Sequence, residues 1–277
     1  MFRLIILAGY FELMAYLQIS GKLDQYINVH YQYLAILSMV LSFVLAVVQL
    51  VLILRNKEHQ VAEDDPHEHH LTKGYQKASA YLLLALPIIV GLLFPTISLD
   101  TTIVEAKGFN FPISKESVGD PDVQTQYLKP DTSIYFNEAD YQEQMDTLLE
   151  KYDQQGTLKI TEANYLEIME LIYNYPSAFI GRAVSYDGFI YQAKNQEISD
   201  LFVFRFGIIH CVADSGVFGL RTKLPHSEEP KNDTWVHIEG TIQSEYYAPF
   251  KRTLPFVDAN TVTTIATPEN QYVYRSF

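Results

Sequence analysis

Cysteine is almost absent from this chain of 277 residues, in which Cys211 is the only one. A single cysteine cannot form an intrachain disulfide, so a packed core must stabilise the fold. The sequence also contains no P-loop, no nucleophile elbow and no HExxH pattern, the motifs that mark many nucleotide-binding and hydrolytic sites. We therefore expect a protein that is not an enzyme.

Positive charge is also scarce. The 20 Lys and Arg residues are outnumbered by 33 Asp and Glu residues, and the formal net charge at pH 7 is −13. Most of this excess follows residue 99, where 26 acidic residues accompany 14 basic ones. Nucleic acids and anionic lipid surfaces are bound through basic patches. The composition therefore argues against nucleic acid as a partner and against docking of this region on anionic lipid.

Three long apolar runs fill most of the first hundred residues: Phe2–Ile19, Tyr31–Leu54 and Ala78–Ile97. About 20 apolar residues in a helix span the hydrocarbon core of a bilayer. No small-x-small cleavage pattern lies near Gly21, so we expect the first run to be retained rather than removed as a signal peptide. The sequence predicts a multi-pass protein of the cell membrane, anchored in the lipid bilayer by residues 1–98.

The distribution of Lys and Arg around these runs predicts their orientation. Arg3 precedes the first run, and the loop 55–77 contains Arg55, Lys57, Lys73 and Lys77. The loop between the first two runs has only Lys22. Because basic residues stay on the cytoplasmic side, we predict a cytoplasmic N-terminus and an extracytoplasmic C-terminal domain. An odd number of spans agrees with this arrangement.

Glu12 is the only acidic residue inside a predicted span. A carboxylate in hydrocarbon is costly and usually faces a protein partner or a water-filled path. Glu12 is therefore a candidate relay or partner-contact residue. The alternative is a carboxyl group that is protonated or that lies near the headgroups of a tilted helix.

The loop between the second and third spans is rich in histidine and acidic residues. It contains His59, His67, His69 and His70. Imidazole and carboxylate ligands suit zinc and other divalent transition metals, so these histidines are a candidate metal site. The alternative is a solvated polar linker between two helices, because the loop has no fixed ligand spacing.

The region after the anchor predicts an α+β domain. Residues 99–134 are typical of an extended tether, and helical periodicity follows at Asn137–Asp153 and Thr161–Tyr173, with Thr161 as the expected N-cap. A period of two then predicts five strands, in which Gly188 and Gly240 lie where a barrel must bend: Phe179–Gln192, Leu201–Val212, Gly216–Leu224, Trp235–Gln243 and Thr261–Ala266. This pattern favours a small OB-like β-barrel within residues 135–277.

A possible polar cluster lies at the end of the second predicted strand. His210, Cys211 and Asp214 combine residue types found in nucleophilic and soft-metal sites. However, His210 and Cys211 are adjacent and should point to opposite faces of a strand. The alternative is a buried thiol with an aspartate that caps the following turn.

Several segments together resemble the YcgQ-like family of bacterial membrane proteins. They are the histidine-rich loop and the segments SGKLDQYINVH, RFGIIHCVADSGVFGL, TWVHIEG and PENQYVY, which occur in the family's order. The resemblance implies one subunit of a two-component membrane permease, paired with a separate multi-span permease subunit. It also implies a role in amino-acid transport and low-pH survival. His210 replaces the first residue of a Cys-Cys-Ala-Ala-Asp pattern common in the family.

Three functions remain open from the sequence. The first is an accessory subunit of a transport complex, because three spans with few polar groups cannot enclose a substrate path. The second is a metal-binding or metal-delivery protein that uses the histidine-rich loop. The third is an anchored surface enzyme, which the missing catalytic motifs disfavour.

Overall fold

A computed structural model describes residues 1–56, 74–94, 101, 138–153, 156–192, 201–225, 230–248 and 252–276. The chain divides into two compact units, Met1–Ser98 and Leu99–Phe277. The predicted tether, apart from Thr101, lies outside the described residues.

The first unit contains three long helices: α1 (Phe2–Ile19), α2 (Gln32–Asn56) and α3 (Gly74–Leu93). All three are long and apolar enough to cross a membrane, which confirms the prediction of three candidate spans. Helix α3 begins at Gly74, before the predicted start at Ala78. Hydropathy places this start too late because Gln76 and Lys77 are polar yet form helix readily.

Helix α1 packs against both α2 and α3. Glycines allow its close approach to α3, since a β-carbon built on Gly91 would lie 2.6 Å from Cδ1 of Leu13. A β-carbon on Gly9 would lie 3.0 Å from Cδ1 of Ile88. Small residues at such contacts are characteristic of helix packing in membranes.

A hydrogen bond also joins α1 to α3. Pro87 lies inside α3 and has no backbone N–H, so the preceding turn loses a helical hydrogen bond. The hydroxyl of Tyr10 donates to the carbonyl oxygen of Leu84 in that turn at 2.9 Å. The carbonyl oxygen that Pro87 leaves without a helical donor is that of Leu83, so the Tyr10 hydroxyl bonds its neighbour and adds a polar contact between α1 and α3.

The second unit is rich in sheet, as predicted, and also contains helices. The helices are α4 (Glu138–Tyr152), α5 (Tyr165–Asn174) and the short α6 (Pro176–Phe179). The strands are β1 (Leu158–Lys159), β2 (Ala183–Gln192), β3 (Leu201–Ile208), β4 (Gly216–Lys223), β5 (Trp235–Tyr247), β6 (Arg252–Thr264) and β7 (Tyr272–Tyr274).

Some of the predicted boundaries are wrong. Helix α5 begins at Tyr165 with Asn164 as its N-cap residue, so Thr161 is not the cap. The backbone N–H of Thr161 instead donates to Oδ1 of Asn164 at 2.7 Å, which closes a turn before the helix. The last predicted strand begins much earlier, at Arg252. Pro255 obscured this start because proline is uncommon inside strands.

The five long strands pair in a cycle. Strand β2 pairs antiparallel with both β3 and β5, β3 pairs antiparallel with β4, and β5 pairs antiparallel with β6. The parallel pair β4–β6 completes the cycle. The short strands β1 and β7 add to β2 and β3 respectively.

Helix α5 covers part of this sheet through buried tyrosines. The hydroxyl of Tyr173 donates to the carbonyl oxygen of Gly219 at 2.6 Å, and that of Tyr165 donates to the carbonyl oxygen of Phe218 at 3.2 Å. Burial raises the pKa of both phenols well above the ordinary value. Both side chains therefore remain protonated donors, and they hold α5 on β4.

Buried Glu167 of α5 connects two other segments, helix α4 and the C-terminal segment. Its carboxylate accepts hydrogen bonds from the hydroxyls of Tyr152 and Ser276 at 2.5 Å each and from Nζ of Lys151 at 2.9 Å. Burial acts to raise the pKa of Glu167, but these hydrogen bonds outweigh it and lower the pKa below its ordinary value. The C-terminal segment is thus fastened to α5 and α4 through one ionised side chain.

Candidate functional site

An exposed face of α1 contains the intramembrane acid. Ile5, Ala8, Glu12, Tyr16 and Ile19 are all exposed, and their spacing of three and four residues places them within an arc of about 80° on a helix. The exposed fractions of Ile5 and Ile19 are 64% and 87%. We call these five residues the α1 stripe. They lie away from the buried contacts of Leu13 and Leu17.

Glu12 has no hydrogen bond or ion pair with another described residue. It lies well inside the 18-residue helix. At a rise of about 1.5 Å per residue, Glu12 is about 15 Å from Phe2 and about 10 Å from Ile19. A glutamate side chain is too short to cover either distance, so the geometry disfavours the headgroup alternative for a helix that spans the membrane.

The predicted polar cluster forms a capped turn after β3. The backbone N–H groups of His210 and Cys211 donate to Oδ1 of Asp214 at 3.0 and 2.9 Å. Nδ1 of His210 lies 2.7 Å from Oδ2 of the same carboxylate. The structure therefore brings His210 and Asp214 together around the turn Val212–Asp214. The alternative of a buried thiol is wrong, because Cys211 is partly exposed.

The metal-site prediction is not supported by the described part of the chain. Among these residues, no group of three or more His, Cys, Asp or Glu side chains could hold a metal ion. His59, His67, His69 and His70 lie outside the described residues. Zinc binding by that loop remains a prediction.

The structure shows a second polar cluster, on β2 and β5, that the sequence reasoning missed. Asp187 lies directly opposite His237, and Ser185 lies directly opposite Glu239. Nδ1 of His237 is 2.5 Å from Oδ1 of Asp187. Nε2 of the same ring is 3.4 Å from Oγ of Ser185 and 3.7 Å from Oε1 of Glu239.

The order of hydroxyl, imidazole and carboxylate in this cluster is also found in serine hydrolases. However, the 3.4 Å separation between Ser185 and His237 is longer than a strong hydrogen bond. The side chains of His237 and Asp187 are 35% and 43% exposed, so water screens their attraction. The cluster therefore supports pairing of β2 with β5, by about 1 kcal/mol or less.

A weak signal for this cluster was present in the sequence. Ser185 and Asp187 are two residues apart, as are His237 and Glu239, so each pair shares one face of its strand. Their meeting depends on the register between β2 and β5, strands that are distant in sequence. Local patterns do not specify that register.

These features define the class of protein: three apolar helices that can span a membrane, followed by a sheet-rich domain with short helices. Residues 2–110 match the DUF1980 N-terminal domain, and residues 135–275 match the DUF1980 C-terminal domain. The chain belongs to the DUF1980 family, and the family resemblance predicted from its motifs is confirmed.

Two relatives match along their whole length. A Streptococcus mutans protein described as "Putative two-component membrane permease complex subunit" is 46% identical over 282 residues, which cover 100% of both chains. The Bacillus subtilis "UPF0703 protein YcgQ" is 40% identical over 294 residues, again with 100% of both chains covered.

Proposed function

We propose that this chain is an accessory subunit of a two-component membrane permease complex. The observation that carries the proposal is the composition of the three candidate spans. Glu12 is the only acidic residue in α1, α2 and α3. A path for polar solutes needs a continuous polar lining, which these helices cannot supply. A multi-span partner would provide the path, and the name of the Streptococcus mutans relative supports such a complex.

The C-terminal domain in this proposal is an extracytoplasmic module that contacts the permease or presents solute to it. The pairing cycle of β2 to β6 supports the OB-like barrel expected from the sequence. A register shift between Glu239 and Gly240 adds to this support, since such irregularities bend and twist strands. Amino acids are the first solutes to test, because the family resemblance implies amino-acid transport and low-pH survival.

The proposal predicts that the purified chain alone does not transport solutes. Reconstituted in liposomes without a partner, it should accumulate neither radiolabelled amino acids nor zinc above the level of protein-free liposomes. Co-reconstitution with the partner permease should restore uptake. The measurement is the initial rate of uptake at pH 7.5 and pH 5.5. Robust uptake of any of these solutes by the single chain would refute the accessory role.

The metal-handling alternative predicts a different result in the same material. Metal bound to the purified chain should then decrease when His59, His67, His69 and His70 are all replaced by alanine, while the amino-acid uptake of the reconstituted complex should not change. Metal analysis by mass spectrometry distinguishes this alternative from a transport role.

The predicted orientation has a direct test. In a Cys211→Ala background, a membrane-impermeant maleimide applied to intact cells should label Ser227→Cys and spare Gln60→Cys. The physical reason is that the loop 55–77 contains four Lys and Arg residues, whereas the loop between the first two spans contains one, which favours retention of loop 55–77 in the cytoplasm. Permeabilised cells provide the control, because both positions should then react. The reverse pattern in intact cells would place the C-terminal domain in the cytoplasm.

A further inference from the structure

We infer that the α1 stripe is the contact surface for a transmembrane helix of the partner permease, and that this helix carries a Lys or Arg side chain at the depth of Glu12. The inference depends on the proposed function, since it names the partner's chemistry and the surface that binds it. It also identifies which face of which span makes the contact.

Glu12 lies on a side of α1 that α2 and α3 leave exposed. Helix α1 uses other sides to pack against α2 and α3, through Phe11 and Phe43, Gly9 and Ile88, and Leu13 and Gly91. Glu12 points away from these contacts, because it is exposed. Neither neighbouring helix supplies it with a donor among the described residues.

Glu12 also lies deep within the span. It lies about 10 Å or more from both ends of α1, and the hydrocarbon core is about 30 Å thick. A carboxylate exposed to lipid at this depth is strongly disfavoured. A basic side chain from another helix would neutralise the carboxylate and satisfy its oxygens with charge-assisted hydrogen bonds.

A second copy of this chain suits the α1 stripe less well than a basic helix does. A symmetric pairing of two α1 stripes would bring two acidic side chains together and would supply a positive charge to neither of them. The remainder of the stripe suits a different helix. Ala8 permits close approach, and Ile5 and Ile19 offer apolar contact.

The experiment uses the full-length chain in membranes of cells that produce the whole complex. A photo-crosslinking amino acid replaces Ala8 on the α1 stripe. A matched control replaces Leu45 of α2, which is 51% exposed and is not part of the stripe. After irradiation, mass spectrometry identifies the crosslinked peptides.

We expect the Ala8 position to form an adduct with a transmembrane peptide of another protein that contains Lys or Arg, and the Leu45 position to form none with that peptide. Glu12→Gln should reduce the adduct about tenfold or more, because a hydrogen bond to a charged group contributes about 1.5–3 kcal/mol. Glu12→Asp should retain a substantial part of it. For each variant purified separately, unchanged fluorescence of Trp235, the only tryptophan of this chain, will show that the C-terminal domain remains folded.

Three outcomes would overturn the inference: adducts with lipid alone, adducts with a second copy of this chain, or an adduct that Glu12→Gln leaves undiminished. The liposome assay distinguishes a wrong contact surface from a wrong proposed function. If the chain alone transports solute, the accessory role is wrong. If transport still requires a partner while the Ala8 adduct is missing, only the α1 stripe is wrong.

Discussion

Gly219→Ala should strongly destabilise the C-terminal domain. A β-carbon built on Gly219 would lie 2.0 Å from the carbonyl oxygen of Val203 and 2.9 Å from Cα of Phe204. These are backbone atoms of β3, the strand that pairs with β4 through Phe204 and Gly219. They cannot rotate away as a side chain would, so the strands must separate. The carbonyl of Gly219 also accepts the hydrogen bond from Tyr173 that holds α5 on the sheet.

We expect Gly219→Ala to lower the free energy of unfolding by about 4 kcal/mol or more, which is a large part of the stability of an ordinary domain. Urea unfolding followed by the fluorescence of Trp235 measures this change in the C-terminal domain, since the chain has no other tryptophan.

Gly207→Ala provides a graded comparison for Gly219→Ala. The nearest atoms to its added β-carbon belong to the side chains of Phe218 and Leu166, at 2.6 and 2.8 Å. Because side chains can shift, the free energy of unfolding should fall by less, about 1–3 kcal/mol. Equal stability of Gly219→Ala and the unsubstituted chain would contradict the close approach of β3 and β4.

Arg205→Ala should produce the second large loss of stability. Arg205 is only 2% exposed, and its Nη2 donates to Oε1 of Glu162 at 2.9 Å and to the carbonyl oxygen of Asn270 at 2.7 Å. The guanidinium also lies 5.4 Å from the ring centre of Trp235 and 5.9 Å from that of Tyr165. One side chain therefore connects β3, α5, β5 and the segment before β7.

The loss of stability on replacing Arg205 depends on how much of its space the new side chain fills. Arg205→Ala removes both hydrogen bonds and leaves a cavity, so we expect a loss of about 3 kcal/mol in the same urea measurement. Arg205→Met should cost only about 1 kcal/mol. It fills most of the space, and the side chain of Glu162, which is 54% exposed, can be solvated again. If both variants lose the same stability, the guanidinium hydrogen bonds dominate and the packing argument is wrong.

The candidate sites differ in how far the sequence could predict them. Glu12 was evident, because an acidic residue in a long apolar run is conspicuous in any hydropathy profile. Its exposure on the α1 stripe was not evident, since the apolar run surrounds it on every side and has no periodicity to mark the lipid face. The contact between Asp187 and His237 was missed for a related reason: it requires the pairing of two strands that are far apart in sequence.

The sequence by itself determined the three candidate spans and the change to a sheet-rich domain. Long apolar runs and a period of two are local properties of the sequence. Each shows directly which side chains gain free energy when they leave water. Only the tertiary structure decided how β4 pairs with β6, where Arg205 and Glu167 fasten the C-terminal segment, and which face of α1 is left exposed. These features depend on contacts between distant residues, whose energies arise only when the whole domain has packed.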